Sequence, residues 1–262
     1  MIGSPEPARW DLPPTRLCFL ESLEVAPSAA GAAGAEIGRA DGIWSPGAAQ
    51  LPSLDAADER RPRAARVAKR ALDIAGALVG LVVSAPLVAL CAVAISCCER
   101  GPAFFRQPRC GRGGRIFSMW KLRTMVPDAE ERLDELRDPS SMDGPVFKPE
   151  HDPRITPLGR VLRRFSLDEL PQFWNVLCGD MSLVGPRPPL PSEVALYGPR
   201  ELRRLSVRPG LTCSWQVSGR NDIPFEQWLE LDLDYIEHWS LGRDLALIAR
   251  TLPAMITGKG AR

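Results

Sequence analysis

The fold is decided by an uncharged segment that reads IAGALVGLVVSAPLVALCAVAI from Ile74 to Ile95. As an α-helix it would measure about 33 Å, just enough to cross the hydrocarbon core of a bilayer. The segment is apolar on every face, which is unusual for a helix on the surface of a soluble domain. The sequence therefore predicts a helix that enters a membrane.

Two features argue against simple crossing. Pro86 lies near the middle, where proline removes a backbone hydrogen bond and clashes with the preceding turn. Both flanks are basic, and an excess of Lys and Arg favours the cytoplasmic side. The flanking basic residues are Arg60, Arg61, Arg63, Arg66, Lys69 and Arg70 before the segment, and Arg100, Arg106, Arg109, Arg112 and Arg115 after it. We therefore expect a re-entrant helix hairpin broken at Pro86, with a spanning helix and a buried soluble helix as alternatives.

The chain divides around this segment. Residues 1–64 are rich in Ala, Pro and Gly, and we expect them to be disordered because they offer little bulky apolar surface. Residues 65–100 comprise a basic juxtamembrane run, suited to anionic lipid, and the membrane helix. Residues 101–262 are predicted to form a polar globular domain at the cytoplasmic face.

That domain is predicted to be mainly α-helical with a small β-hairpin. Short apolar runs on either side of the glycine-rich turn at 111–114 indicate the hairpin. The predicted helices cover 128–137, 158–165, 170–177, 225–239 and 241–256. The last two are amphipathic, and we expect such helices to lie at the membrane interface.

Composition excludes several functions. Lys and Arg total 33 and Asp and Glu total 32, a net charge of +1 that gives no reason to expect a nucleic-acid partner. The two histidines are far apart, which rules out a zinc site of the H-E-x-x-H type. The seven cysteines include no C-x-x-C pair, a pattern typical of a reducing compartment.

The densest chemical motif is Ser166-Leu-Asp-Glu-Leu-Pro-Gln172. It has a structural interpretation, because Ser166 and Glu169 have the spacing of a helix capping box. It also has a chemical one. A carboxylate at a helix start is held ionised, as a nucleophile must be, and its neighbour suits a hard cation such as Mg²⁺.

Three turns each carry an arginine beside Gly or Pro, at Arg187, Arg208 and Arg220. Arginine on a rigid turn can bind phosphate oxygens with both arms of its guanidinium. The alternative interpretation is that these arginines lie in solvent-exposed loops and bind no ligand. Three such turns together favour a site for a polyanion.

The order and spacing of these motifs resemble the bacterial sugar transferases, the monotopic polyprenyl-phosphate phosphoglycosyltransferases. The resemblance covers Arg66 to Gly258. The motifs that carry it are Lys69-Arg-Ala-Leu-Asp73, Ala85-Pro86, Trp120-Lys-Leu-Arg-Thr-Met125, Ser166 to Gln172, Gly179 to Pro188, Arg208-Pro-Gly-Leu-Thr212 and Trp215 to Arg220.

The resemblance implies an enzyme that moves a sugar 1-phosphate from a UDP-sugar to undecaprenyl phosphate and releases UMP. It implies a phospho-aspartyl intermediate on Asp168, with Mg²⁺ held by Glu169. Phosphate and nucleotide contacts carry over to Lys121, Arg163, Arg187 and Arg220.

The resemblance also implies a location and a pathway. The protein would contact lipid at the cytoplasmic face of the inner membrane, and a homodimer is compatible with it. Two motifs, Gly144 to Lys148 and Trp215 to Arg220, resemble those of enzymes that initiate exopolysaccharide or O-antigen synthesis with a hexose phosphate. They are less like the motifs of the short enzymes that use acetamido sugars. Cys213-Ser214 departs from the usual glycine and larger apolar residue, which puts the geometry of that loop in question. A non-catalytic membrane scaffold and a soluble phosphate-binding regulator are the rival functions.

Overall fold

The structure, a computed structural model, describes residues 61–99, 101–129, 131–132, 142–147, 152–218 and 223–257. Almost all of the predicted tail, 1–64, lies outside these residues. Regular structure begins with helix α1, Arg63–Cys98, of 36 residues. The predicted domain boundaries therefore stay predictions.

Helical structure continues through Pro86 in α1, so a break in the helix there is not confirmed, and the predicted re-entrant hairpin stays a prediction. A proline inside a helix removes one backbone hydrogen bond, and Pro86 lies on the exposed side of α1. By length and composition, α1 is the one helix among the described residues that could cross a membrane. Whether it crosses or re-enters stays a prediction.

One face of α1 packs along the rest of the protein. Gly76 and Gly80 allow this close approach, since a Cβ at Gly76 would lie 2.5 Å from Leu183 Cδ1. The buried residues of α1 are Asp73, Ala77, Ser84, Cys91 and Ile95. The other face exposes large apolar side chains, among them Val79, Val82, Val83, Leu90 and Val93.

Both ends of α1 contact the globular part. Near its start, the Arg70 guanidinium donates to the carbonyls of Val176 and Leu177 at 2.7 and 2.8 Å. Near its end, Ile95 is fully buried in a cluster with Leu122 and Leu162. The two ends of the helix are thus attached to the same body.

The predicted hairpin is confirmed. Strand β1, Phe104–Cys110, pairs antiparallel with β2, Ile116–Leu122, in a register that places Phe104 opposite Leu122. The turn contains Gly113 and Gly114 at φ of 67° and 76°, a region that favours glycine. Two further pairs are short. Met142–Asp143 (β3) pairs with Val146–Phe147 (β4), and Ser182–Val184 (β5) lies parallel to Gly210–Thr212 (β6).

Four of the predicted helices are confirmed to within two residues. They are α2, Pro157–Arg164; α3, Gln172–Cys178; α6, Phe225–Glu237; and α7, Leu241–Thr257. Two one-turn helices, α4 at Pro191–Val194 and α5 at Pro199–Leu202, were not predicted. The predicted helix at 128–137 falls largely outside the described residues, and 127–129 form a turn.

The core brings the motifs together. Its largest cluster joins α1, α3, β5, α6 and α7, with Val176, Met181 and Leu229 buried at its centre. Between β5 and β6 the backbones nearly touch, because a Cβ on Gly210 would lie 2.1 Å from the nitrogen of Gly185. This contact requires glycine and fixes the loop that carries Arg187 beside the Arg208 motif.

Candidate active site

The two carboxylates lie on a single 3₁₀ turn, Leu167–Glu169, between α2 and α3. The capping-box interpretation is wrong, because the Ser166 side chain makes no capping hydrogen bond. Ser166 instead adopts a left-handed backbone conformation, with φ of 54°. That conformation is costly for a residue with a side chain, and such strain is common next to functional groups.

Asp168 is 6% exposed, and burial raises the pKa of its carboxyl group above the usual value. The positive charge of Lys121 acts in the opposite direction, Glu169 raises the pKa further, and Arg163 lowers it. The carboxylate is thus removed from bulk water but held between cations. The arrangement is chemically suited to a nucleophile, because a buried carboxylate has few water molecules to displace.

Lys121, in strand β2, faces the acidic pair. Its Nζ lies 3.7 Å from Glu169 Oε1, and both side chains are about four-fifths buried. Burial lowers the pKa of Lys121 to about 8, although Glu169 and Asp168 both favour its charged form. Lys121 can therefore lose its charge within a few pH units of neutrality.

Arg163 comes from the last turn of α2, and its charge lowers the pKa of Asp168. Its Nε donates to Thr124 Oγ1 at 2.9 Å, and the carbonyl of Thr124 accepts from the Thr156 amide at 3.1 Å. Gly159 permits this packing, since a Cβ there would lie 2.1 Å from the same carbonyl oxygen. The Trp120–Met125 motif thus positions Arg163 through α2.

Arg187 lies in the proline-rich loop after β5. Its guanidinium carbon is 5.8 Å from the ring centroid of Trp215 and 6.0 Å from that of Trp228, distances at which cation–π attraction acts. Arg187 lines a pocket together with Lys121 and Glu169. The structure therefore brings together five predicted residues, namely Lys121, Arg163, Asp168, Glu169 and Arg187. Arg220 lies outside the described residues, and Pro86 belongs to α1.

Arg109, one of the basic residues expected to flank the membrane segment, instead supports the candidate site, and its sequence context gives no signal of this role. Its guanidinium is buried and donates to the carbonyl of Pro188 at 2.9 Å and to Gln107 Oε1 at 2.7 Å. Burial lowers the pKa of Arg109 to about 10, and the charge of Arg187 lowers it too. Arg109 holds the loop of Arg187 and does not face lipid.

Arg204 supports the same loop from the other side. Its Nε donates to Asp232 Oδ2 at 2.9 Å, its Nη1 to the Tyr197 hydroxyl at 2.6 Å and its Nη2 to the Arg187 carbonyl at 3.3 Å. Burial raises the pKa of Asp232 to about 6 despite the ion pair with Arg204. No sequence signal distinguishes this arginine from its exposed neighbour Arg203.

The side chains near Asp168 determine whether the site could hold a magnesium ion. Among the residues that the structure describes, no group of three or more His, Cys, Asp and Glu side chains is placed to enclose a metal. Mg²⁺, however, usually binds through one or two carboxylates and completes its shell with water and substrate phosphate. Glu169, partly exposed beside Asp168, fits that arrangement.

The loop at Cys213-Ser214 is undistorted. Among the described residues, Ser166 is the only one other than glycine with positive φ, so Cys213 does not occupy a position that requires glycine. Cys213 is buried, and its amide donates to Gln216 Oε1 at 3.1 Å.

Together the fold and the site define a membrane-associated protein in which a buried carboxylate lies among cations suited to phosphate. The chain belongs to the bacterial sugar transferase family, whose characteristic sequence matches residues 64–258. This confirms the resemblance inferred from the motifs.

Curated relatives agree with the family. Galactosyl transferase CpsE of Streptococcus agalactiae serotype III is 48% identical over 197 residues, which cover 75% of this chain and 44% of that protein. Exopolysaccharide production protein ExoY of Rhizobium meliloti is 38% identical over 74% of this chain and 88% of its own length. The UDP-glucose:undecaprenyl-phosphate glucose-1-phosphate transferase of Caulobacter vibrioides is 42% identical over 74% of this chain and 71% of its own length. The chain thus spans less than half of the Streptococcus protein but most of ExoY.

Proposed function

We propose that this protein transfers a hexose 1-phosphate from a UDP-sugar to undecaprenyl phosphate, releases UMP, and so initiates the synthesis of an exopolysaccharide or O-antigen. The observation that carries the proposal is the placement of Asp168, a buried carboxylate among Glu169, Lys121 and Arg163. The names of the Streptococcus galactosyl transferase and of the Caulobacter glucose-1-phosphate transferase support the substrate class.

The mechanism would have two displacements at phosphorus. A carboxylate oxygen of Asp168 bonds to the sugar-bearing phosphorus, and the bond from that phosphorus to the UMP oxygen breaks, so that UMP leaves with the electron pair. An oxygen of the lipid phosphate then attacks the same phosphorus and regenerates the Asp168 carboxylate. Dividing the transfer in this way lets two bulky substrates use one site in turn.

The cations would stabilise the charge that develops on the transferred group. Lys121 and Arg187 line one pocket with Glu169, where phosphoryl oxygens could be held. When bound at Glu169, Mg²⁺ would neutralise diphosphate charge and favour release of UMP. We expect Glu169→Gln to lose activity and to regain part of it in excess Mg²⁺, which titration of the metal would measure.

The membrane helix supports the proposed location at the cytoplasmic face of the inner membrane. The exposed face of α1 is apolar, with Val82 and Val83 74% and 73% exposed, and lipid would cover it. Both ends of α1 contact the same body, which favours a helix that re-enters over one that carries its start to the far side. An active site held at the level of the lipid headgroups can contact the phosphate of a membrane lipid.

The test is UMP release by purified protein from a panel of UDP-sugars, with and without undecaprenyl phosphate. Asp168→Asn keeps the shape of the side chain and removes the nucleophile, so we expect a loss of at least about 10³-fold with folding retained. Asp128→Asn, which alters an exposed ion pair with Arg132 outside the site, is the matched control. A parent protein that releases no UMP with any sugar would favour the non-catalytic scaffold instead.

A further inference from the structure

One residue of the acidic motif has a hydrogen-bonding group that the fold does not use. Gln172 begins α3, three positions after Glu169, and is 3% exposed. Its Nε2 is buried and has no hydrogen-bond partner. Buried polar groups are nearly always paired, and leaving one unpaired destabilises a protein, so this donor needs an explanation.

A neighbouring amide shows that the orphan donor is not a general feature of α3. Asn175 is 2% exposed, yet its Nδ2 donates to the Ser118 carbonyl at 2.8 Å and its Oδ1 accepts from the Trp120 amide at 3.0 Å. Asn175 therefore has a structural role, because it ties α3 to strand β2. The Nε2 of Gln172 makes no comparable contact within the fold.

The surroundings of Gln172 indicate what would pair with it. It lines the pocket that also contains Lys121, Glu169, Arg187 and Gln216. An amide nitrogen only donates, so its partner must be an acceptor, and the neighbouring Lys121 and Arg187 favour a negatively charged one. A neutral amide adds a directed hydrogen bond without adding a further charge to cations that already repel one another.

We propose that Gln172 donates a hydrogen bond to an oxygen of the phosphoryl group that is transferred, which makes it a substrate-contacting residue. This inference rests on the proposed function, because it assigns the amide to the phosphorus that Asp168 attacks. It also explains the unpaired donor, since the substrate supplies the acceptor that the fold lacks.

The diagnostic variant is Gln172→Met, which has a similar length and removes the donor. A hydrogen bond to a charged acceptor is strong, so we expect kcat/KM for UMP release to fall roughly 10- to 150-fold. The midpoint of thermal unfolding should stay the same or rise, because a buried unpaired group has been removed. Asn175→Leu is the matched control, and there the midpoint should fall because paired buried groups lose their partners.

Binding of UDP in the presence of Mg²⁺, measured by calorimetry, separates a phosphate contact from a sugar contact. If Gln172 contacts phosphate, Gln172→Met weakens UDP itself and reduces kcat/KM by a similar factor for every UDP-sugar used. Unchanged UDP affinity, with losses that vary from sugar to sugar, would overturn the proposal and assign the amide to a sugar hydroxyl.

Two further results would also overturn it. Gln172→Met with unchanged kcat/KM in an active parent would show that the donor is not used. A fall in its unfolding midpoint comparable with that of Asn175→Leu would show a structural role. If the parent itself released no UMP, the proposed function would fail, whereas the UDP-binding and unfolding measurements would still decide the role of Gln172.

Discussion

The charge of Lys121 should control the alkaline side of the pH profile. Burial lowers the pKa of this ammonium to about 8, whereas it lowers that of Arg109 only to about 10. In the proposed role the charged form of Lys121 binds phosphate, so activity is present below the pKa and is lost as the pH rises through it. From pH 7 to pH 9 the charged fraction falls from about 90% to about 10%, which predicts a roughly tenfold fall in kcat/KM.

The assay is UMP release at low UDP-sugar concentration and fixed Mg²⁺ between pH 6.5 and 9. The second ionisation of a phosphate monoester has a pKa of about 6, so it is nearly complete at pH 7 and contributes little to the fall between pH 7 and pH 9. Lys121→Arg is the control, because a guanidinium stays charged over the whole range. Its profile should be flat on the alkaline side, even if its absolute rate is lower.

Either of two results would contradict this role of Lys121. A flat alkaline profile in the parent would show that the Lys121 charge is not needed or that its pKa is not lowered. The same tenfold fall in Lys121→Arg would assign the limb to a different group.

Three further predictions concern binding, backbone and topology. Arg187→Lys keeps the charge but loses the two-armed contact, so we expect a loss of about 1–3 kcal/mol in transition-state stabilisation, measured as kcat/KM. Full activity in both Arg187→Lys and Arg187→Ala would contradict the phosphate role. Ser166→Val should lower the free energy of unfolding by roughly 1–2 kcal/mol, because a branched side chain is strained at this left-handed position. Ser166→Gly should not lower it. Equal thermal unfolding midpoints for the two variants would show that the turn relaxes. A single Cys placed at Ser53 of a cysteine-free chain should be labelled by a membrane-impermeant reagent only after cells are opened, and labelling in intact cells would identify α1 as a spanning helix.

Much of the framework follows from local sequence patterns. The uncharged run from Ile74 to Ile95 marks α1, the glycine turn marks the hairpin, and amphipathic periodicity locates α6 and α7. These elements depend on neighbours in the chain, for which periodicity is a direct signal. The sequence also identifies Asp168 and Glu169, because two adjacent carboxylates before a helix are distinctive without any knowledge of the fold.

Tertiary structure decided what surrounds those carboxylates. Lys121 lies 48 positions from Glu169 in sequence yet 3.7 Å away in space, because the 3₁₀ turn that carries Glu169 packs on β2. The fold likewise buries Arg109 under Pro188, where its charge fixes a loop. It also leaves the Gln172 donor unpaired and continues α1 through Pro86. Composition and spacing determine which groups are present, but burial and long-range contacts determine their charge, their partners and therefore their roles.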